Sequence, residues 1–303
     1  MEEKIIQQIK DKYHQLGENP KTYFKGLLHA KPINYWDYVK VDTLLSLQNP
    51  RTDFKDEEIF IMYHQVTELM LKMMLHEIKQ IVEEETLEEA FLITKLNRLN
   101  RYTSMLITSF DIVKEGMNYD DYNTFRTTLT PASGFQSAQF RYIELNCTRL
   151  ENLINEKGKK RLPASPETEE YFENIYWKDA GLNRKTGEKT LTLRQFEEKY
   201  LVGFIDLANK IKGKTIEDKV LQMNNLSTAL KEKLRAFDYL YNVEWPLVHL
   251  NTAKYYLDSK KENQAATGGS EWKKYLHPKF QQRKFFPSLW TETEKQNWGE
   301  KIK

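Results

Sequence analysis

Phe60-Ile-Met-Tyr-His64-Gln-Val-Thr-Glu68-Leu69 reads as an amphipathic helix, and it decides the class of the fold. Phe60, His64, Leu71 and Leu75 fall on one helical stripe. A histidine thus occupies a place where another hydrophobic residue is expected. Apolar, poorly hydrated surroundings perturb the titration of an imidazole and strengthen its electrostatic contacts. The residues alone leave two readings open: a structural histidine bonded to a backbone carbonyl, the usual state of buried polar groups, or a group kept for chemistry.

The same periodicity extends outward. It runs from Asp56 to about Glu84, from Thr86 to Lys114 and from Phe135 to about Glu156, each long enough to form one wall of a bundle. Ser133 and Gln136 have the spacing of a capping box, so the third helix is expected to begin there. From about 157 to 192 the chain turns polar, with Pro163, Pro166 and Lys185-Thr-Gly187, and an excursion holding at most short helices is expected. Helices resume near Leu193 and run, with breaks, to Leu257; Ala266-Thr267-Gly268-Gly269-Ser270 then marks a turn. The basic, aromatic end carries Tyr275, Phe280, Phe285, Phe286 and Trp290, which are expected to pack on the body rather than stack on nucleic acid. With 12 glycines and 9 prolines in 303 residues and few alternating β-branched runs, the expectation is an all-α helical bundle, a single domain over 1–303.

Charge narrows the function classes. The 46 basic and 44 acidic residues are interspersed and sum to +2, so no nucleic-acid or membrane footprint stands out. The one compact basic run, Lys157-Gly-Lys-Lys-Arg161, reads as a solvated loop. Cys147 is the only cysteine, which excludes an intramolecular disulfide framework and a multi-cysteine zinc site and fits a reducing, cytoplasmic setting. Met1–Lys10 is a charged amphipathic stretch without the apolar core of a secretory signal, and no segment approaches the ~20 apolar residues needed to cross a bilayer.

Three further places can carry chemistry. His249 lies in Glu244-Trp-Pro246-Leu-Val-His249-Leu-Asn-Thr-Ala253-Lys-Tyr-Tyr256, where Pro246 suits a first helical turn and Trp245, His249, Ala253 and Tyr256 share a face. A small alanine one turn beyond the imidazole leaves room for a planar macrocycle, and haem iron accepts a single neutral histidine as proximal ligand. A packed or capping histidine is the alternative. Tyr122 and Arg126 stand at i and i+4, where an arginine can grip a carboxylate by two bonds or simply pair with a surface acid. Thr267-Gly268-Gly269 offers a hydroxyl and accessible backbone for a carboxylate or ammonium group, or is a plain flexible turn; it lacks the lysine of a phosphate loop. A di-metal centre is not favoured, since neither His64 nor His249 has a glutamate three places earlier. His14, His29, His76 and His277 show no paired spacing, and nothing marks Cys147 as a lowered-pKa nucleophile.

These pieces occur in an order that resembles the tryptophan 2,3-dioxygenase family over most of the chain. The matching segments are Tyr35-Trp-Asp-Tyr38 with Leu44-Leu-Ser-Leu-Gln-Asn-Pro50, Phe60 to Gln65 with Glu68-Leu69, Tyr122 to Arg126, Ala132 to Ser137, His249 and Thr267-Gly-Gly. The resemblance implies a helical bundle enclosing a haem pocket, with haem b as cofactor, L-tryptophan and O2 as substrates, N-formylkynurenine as product and a homotetrameric assembly. It further implies His249 as the axial iron ligand and His64 as the distal catalytic histidine facing the indole nitrogen. Phe60, Ile61, Met62 and Tyr63 would line the substrate site beside it. Arg126 and Thr267 would hold the carboxylate and ammonium, Tyr122 would support that end, and Tyr35 and Tyr38 would reach into a neighbouring subunit's site. Met70, Ala266 and a longer interval between His249 and Thr267 depart from the family's pattern and bear on the loop over the substrate. Two rivals share these features in part: a related indole or indoleamine oxygenase on the same scaffold, and a haem-binding protein without turnover.

Overall fold

The computed structural model describes residues 1–183, 186–257, 273 and 276–300. Two compact units divide the chain, Met1–Asn49 and Pro50–Lys303.

The first unit holds α1 (Glu2–Gln15), α2 (Pro20–His29), α3 (Tyr35–Val39) and α4 (Val41–Leu44). Polar caps set these starts. Asn19 accepts from Lys21 N with Pro20 at the first position of α2, and Asn34 accepts from Asp37 N to open α3. Lys40, at φ 60°, turns the chain between α3 and α4. Tyr13 stacks on Tyr23 at 3.8 Å and pins α1 to α2. Of the residues in these four helices only Pro20 is buried, and Leu28, Ile33, Tyr35, Trp36 and Tyr38 of this unit all stand exposed.

The second unit begins with α5 (Asp56–Glu83), α6 (Glu89–Thr108), α7 (Phe110–Lys114), α8 (Tyr119–Phe125) and α9 (Ala138–Cys147). The excursion follows, with α10 (Glu156–Lys159) and α11 (Thr168–Glu173), then α12 (Leu191–Lys210), α13 (Ile216–Gln222), α14 (Thr228–Tyr239) and α15 (Trp245–Leu257). After these come α16 (Pro278–Gln281) and α17 (Glu292–Gln296). Three acids in the first turn of α5 oppose the helix dipole. Helix α5 packs on α6 and α9, and α14 packs on α6. Leu71, Met74, Ile78, Leu92, Leu96, Leu99, Leu230, Leu234 and Phe237 fill the space between them. Each such side chain taken from water contributes about 1.5–3 kcal/mol.

The architecture is all-α. Among the described residues β structure is confined to two isolated bridges, Ile154 to Ile175 and Leu182 to Lys189, both in or beside the excursion. The excursion has its own core of Phe172, Ile175 and Trp177 against Phe196 and Phe204 of α12. No helix among the described residues is long and apolar enough to cross a membrane.

Two helices end earlier than periodicity predicts. The second breaks at Ser109, where the Ser109 hydroxyl donates to Leu106 O at 2.8 Å and Thr108 Oγ1 to Ser104 O, side-chain bonds that compete with helical continuation. The third stops at Cys147. Buried Glu217 accepts from Thr148 Oγ1 (2.8 Å), Arg149 N (2.9 Å) and Asn152 Nδ2 (2.8 Å), so a tertiary carboxylate captures the groups that would carry the helix on. The capping box at Ser133 and Gln136 forms, but it caps the 3-10 turn Gly134–Gln136, and α9 starts two residues later.

A π-turn, Leu240–Glu244, joins α14 to α15. Pro246 lacks an N–H and its ring would strike the carbonyl of Asn242, so a widened turn relieves the clash and the chain continues into α15. The base of this turn is fixed by Asp238, which is fully buried. Its carboxylate accepts from Phe285 N (2.8 Å), Phe286 N (3.1 Å), Trp290 Nε1 (2.8 Å) and Asn242 Nδ2 (2.8 Å). The basic aromatic tail therefore packs on the body, with Phe285, Phe286 and Trp290 buried. Phe280 is exposed, and Tyr275 lies outside the described residues. Arg283 and Arg141 both reach the buried Glu144 carboxylate and add a charged tether. Asp238→Asn should lower unfolding free energy by about 1–3 kcal/mol, because an amide turns a donor toward donors and leaves at least one of them unpaired. Urea denaturation checks this; an unchanged midpoint would refute the role given to the carboxylate.

Candidate active site

His64 projects from α5 with its Nδ1 2.7 Å from Phe60 O. A carbonyl only accepts, so Nδ1 carries the hydrogen and the neutral ring keeps a lone pair on Nε2. Both readings left open by the sequence therefore apply to one ring: one nitrogen is satisfied structurally and the other is available. Burial pushes the His64 pKa below its ordinary value, against the opposing pull of Phe60 O and the Glu68 carboxylate. Glu68 is itself held by Gln139, whose Nε2 donates to Glu68 O (2.7 Å) and Oε2 (2.8 Å).

His249 projects from α15. Burial pushes its pKa down to about 4, helped by the His64 charge, so the ring is neutral at physiological pH. Although 185 positions separate them in sequence (249 − 64), the two imidazoles are linked through space by the rings of Tyr63 and Phe110. Both rings retain accessible surface while protein surrounds them on nearly every side.

Aromatic rings link the two. Tyr63 lies 5.4 Å from His64 and 5.9 Å from Phe110, and Phe110 lies 5.4 Å from His249 at an interplanar angle of 30°. On the other side of His64, Phe60 packs at 4.2 Å and touches Tyr122 (5.8 Å) and Phe125 (5.7 Å). Tyr122 meets Tyr256 of α15 at 4.1 Å. Arg126 is buried at the junction of α8 and the 3-10 turn Arg126–Leu129, close enough for its charge to oppose the rise that burial gives the Tyr122 pKa. The structure thus brings Phe60, Tyr63, His64, Tyr122 and Arg126 to one place and sets His249 beside it.

Other expected positions fall elsewhere. Ile61 is half-buried, and Met62 lies on the side of α5 away from His64, where Met62, Val66, Leu69 and Met73 form an exposed stripe. Tyr35 and Tyr38 stand exposed on α3 of the first unit. Thr267 and its glycines lie outside the described residues. Sequence reasoning missed Phe110 and Phe125; both sit next to helix breaks, where periodicity gives no signal. Among the described residues no three histidine, cysteine or carboxylate side chains converge as metal ligands. Cys147 is fully buried, and burial pushes its thiol well up, which removes it as a nucleophile.

The family model of tryptophan 2,3-dioxygenase matches residues 26–204. A tryptophan 2,3-dioxygenase of Bacillus thuringiensis subsp. konkukian is 30% identical over 289 residues, covering 91% of this chain and 98% of its own. A protein of that name from Ruegeria pomeroyi is 37% identical over 130 residues, 42% of this chain and 46% of its own. Another, from Ralstonia pickettii, is 27% identical over 280 residues, 86% of this chain and 92% of its own. His64, Tyr122 and Arg126 lie inside the segment matched by the family model, and the full-length relative extends the likeness over nearly the whole chain. With these matches over an all-α bundle, the chain belongs to the tryptophan 2,3-dioxygenase family.

Proposed function

We propose that this chain is a haem-dependent dioxygenase that opens the indole ring of L-tryptophan to N-formylkynurenine with O2. The observation that carries this reading is the pairing of two neutral, enclosed imidazoles from α5 and α15 beside a buried arginine. A b-type haem asks for one neutral imidazole in apolar surroundings, and His249 fits that requirement through its depressed pKa and its setting against Phe110 and Ala253. Haem, when bound, supplies the iron that activates O2.

The chain's own residues do the rest. Arg126, steadied by Tyr122, grips the substrate carboxylate by two parallel bonds. Phe60 packs against the indole ring. The unprotonated His64 Nε2 accepts the indole N–H and so fixes the ring edge, since Nδ1 is committed to Phe60 O. Holding the reacting edge in place can lower the barrier by several kcal/mol, on the order of what intramolecular positioning supplies. Thr267 takes the ammonium group. In a homotetramer, Tyr35 and Tyr38 of one subunit complete the site of another, which gives their exposure a purpose. A single buried cysteine is in keeping with a cytoplasmic setting. The buried arginine favours an enzyme for amino acids over a haem carrier, which has no use for a carboxylate clamp.

The test is turnover of L-tryptophan by the haem-loaded protein, read by N-formylkynurenine absorbance; no product under reducing, aerobic conditions would overturn the proposal. His64→Ala should keep haem and lose part of the rate, roughly tenfold or more, as expected for removing a positioned polar group. Protonation turns Nε2 from acceptor to donor, and the His64 pKa lies below the ordinary 6.5. Accordingly kcat/KM should stay level as pH falls from 8 to 6.5 and drop only below that. A fall centred above 6.5 that is absent in His64→Ala would contradict this.

A further inference from the structure

We propose that Phe110 is the positioning residue of the iron-binding imidazole, orienting His249 by ring contact where most metal-bound histidines are oriented by a hydrogen bond. This rests on the haem reading above. A ligating histidine ordinarily donates its second N–H to a carboxylate, carbonyl or water, which fixes the ring plane and raises ligand basicity. Among the described residues, no group hydrogen-bonds either ring nitrogen of His249. What it has instead is the face of Phe110, 5.4 Å away and inclined by 30°.

Phe110 is well placed for such a task. It is 7% exposed and opens α7 just after the Ser109 break, which re-aims the chain so that α7 packs on both α15 and α5. The break is anchored from behind. Ser109 Oγ donates to Leu106 O at 2.8 Å, and Thr67 Oγ1 donates to Tyr63 O at 3.0 Å. The Tyr63 ring then stands against Phe110 at 5.9 Å and 64° and against His64 at 5.4 Å and 84°. One buried tyrosine next to His64 in sequence therefore backs the ring that faces His249. The wall sets the plane of the proximal imidazole and its relation to the distal one.

Resonance Raman spectra of the ferrous, substrate-free holoenzyme test this through the iron–histidine stretch, alongside the rate of haem transfer to excess apomyoglobin. Phe110→Leu should shift or broaden that band and speed haem loss roughly tenfold or more, and Phe110→Tyr, which keeps the ring, should restore both. The inference is overturned if Phe110→Leu leaves band and loss rate unchanged. Should Phe110→Leu fail to load haem, Phe110→Tyr decides the matter: a band and loss rate that depart from those of the wild type although the ring is kept would overturn the inference. Failure of the haem reading looks different: the wild type takes up no haem, or His249→Ala keeps the wild-type band.

Discussion

His249→Ala is expected to leave a folded protein that no longer retains haem. The substitution removes the nitrogen proposed to bind iron, and the pKa of about 4 means no proton competes for that nitrogen near neutral pH. Haem affinity should fall by more than about a hundredfold, since even partners outside the ligand shell cost 10–100-fold. Helix α15 should survive, because alanine favours helix and His249 is not among the buried residues of that helix. Purified protein would show an unchanged far-ultraviolet circular dichroism spectrum and an absorption spectrum without the Soret band. Added imidazole should restore part of that band by entering the space the side chain leaves. An intact Soret band in the variant, unaltered in position, would assign the iron to another residue.

Arg126→Leu carries the second large effect, on substrate and not on cofactor. Arg126 is 6% exposed, so its charge acts where water competes weakly. Truncating one partner of a buried, hydrogen-bonded charge pair costs about 2–4 kcal/mol, which is roughly 30- to 1,000-fold in kcat/KM for L-tryptophan. The haem spectrum should not change. Arg126→Lys should recover only a fraction, because an ammonium cannot make the paired contact of a guanidinium. The diagnostic comparison is with tryptamine, which has no carboxylate. Wild-type preference for L-tryptophan over tryptamine should collapse in Arg126→Leu, and a preference that persists would place the carboxylate elsewhere.

Much of the fold was legible because its signal is repetitive. Helix α5 follows from a pattern sustained over Asp56–Glu83, and the structure gives the same span to within a residue of the expected Glu84. What was not legible depends on distant partners. Glu217 ends α9 from 69 residues further along, and no local feature of Thr148 announces it. Thr108 and Ser109 are ordinary helix residues until their hydroxyls turn back on the preceding carbonyls. Pro246 was read as a first-turn proline; it sits at the start of α15, with a π-turn before it that periodicity does not register.

The candidate site divides in the same way. His64 stands out in sequence because it interrupts an apolar stripe, and Tyr122 with Arg126 because helical spacing pairs them; the structure joins these through Phe60. Met62, which the family resemblance sets beside His64, stands two places from it in the chain, and helix geometry turns it to the opposite side. Phe110 carries no motif, since its importance comes from α7 crossing α15. The buried Asp238 likewise becomes meaningful only once Phe285, Phe286 and Trp290 bring their donors to it.

The central claim is that His249 and His64 face one haem from opposite sides, and a crystal structure of the haem-loaded protein with L-tryptophan measures this directly. The account predicts iron bonded to His249, with the indole nitrogen hydrogen-bonded to His64 across the porphyrin and the carboxylate on Arg126. Iron bonded to any other residue, or both histidines on the same face of the ring, would contradict it.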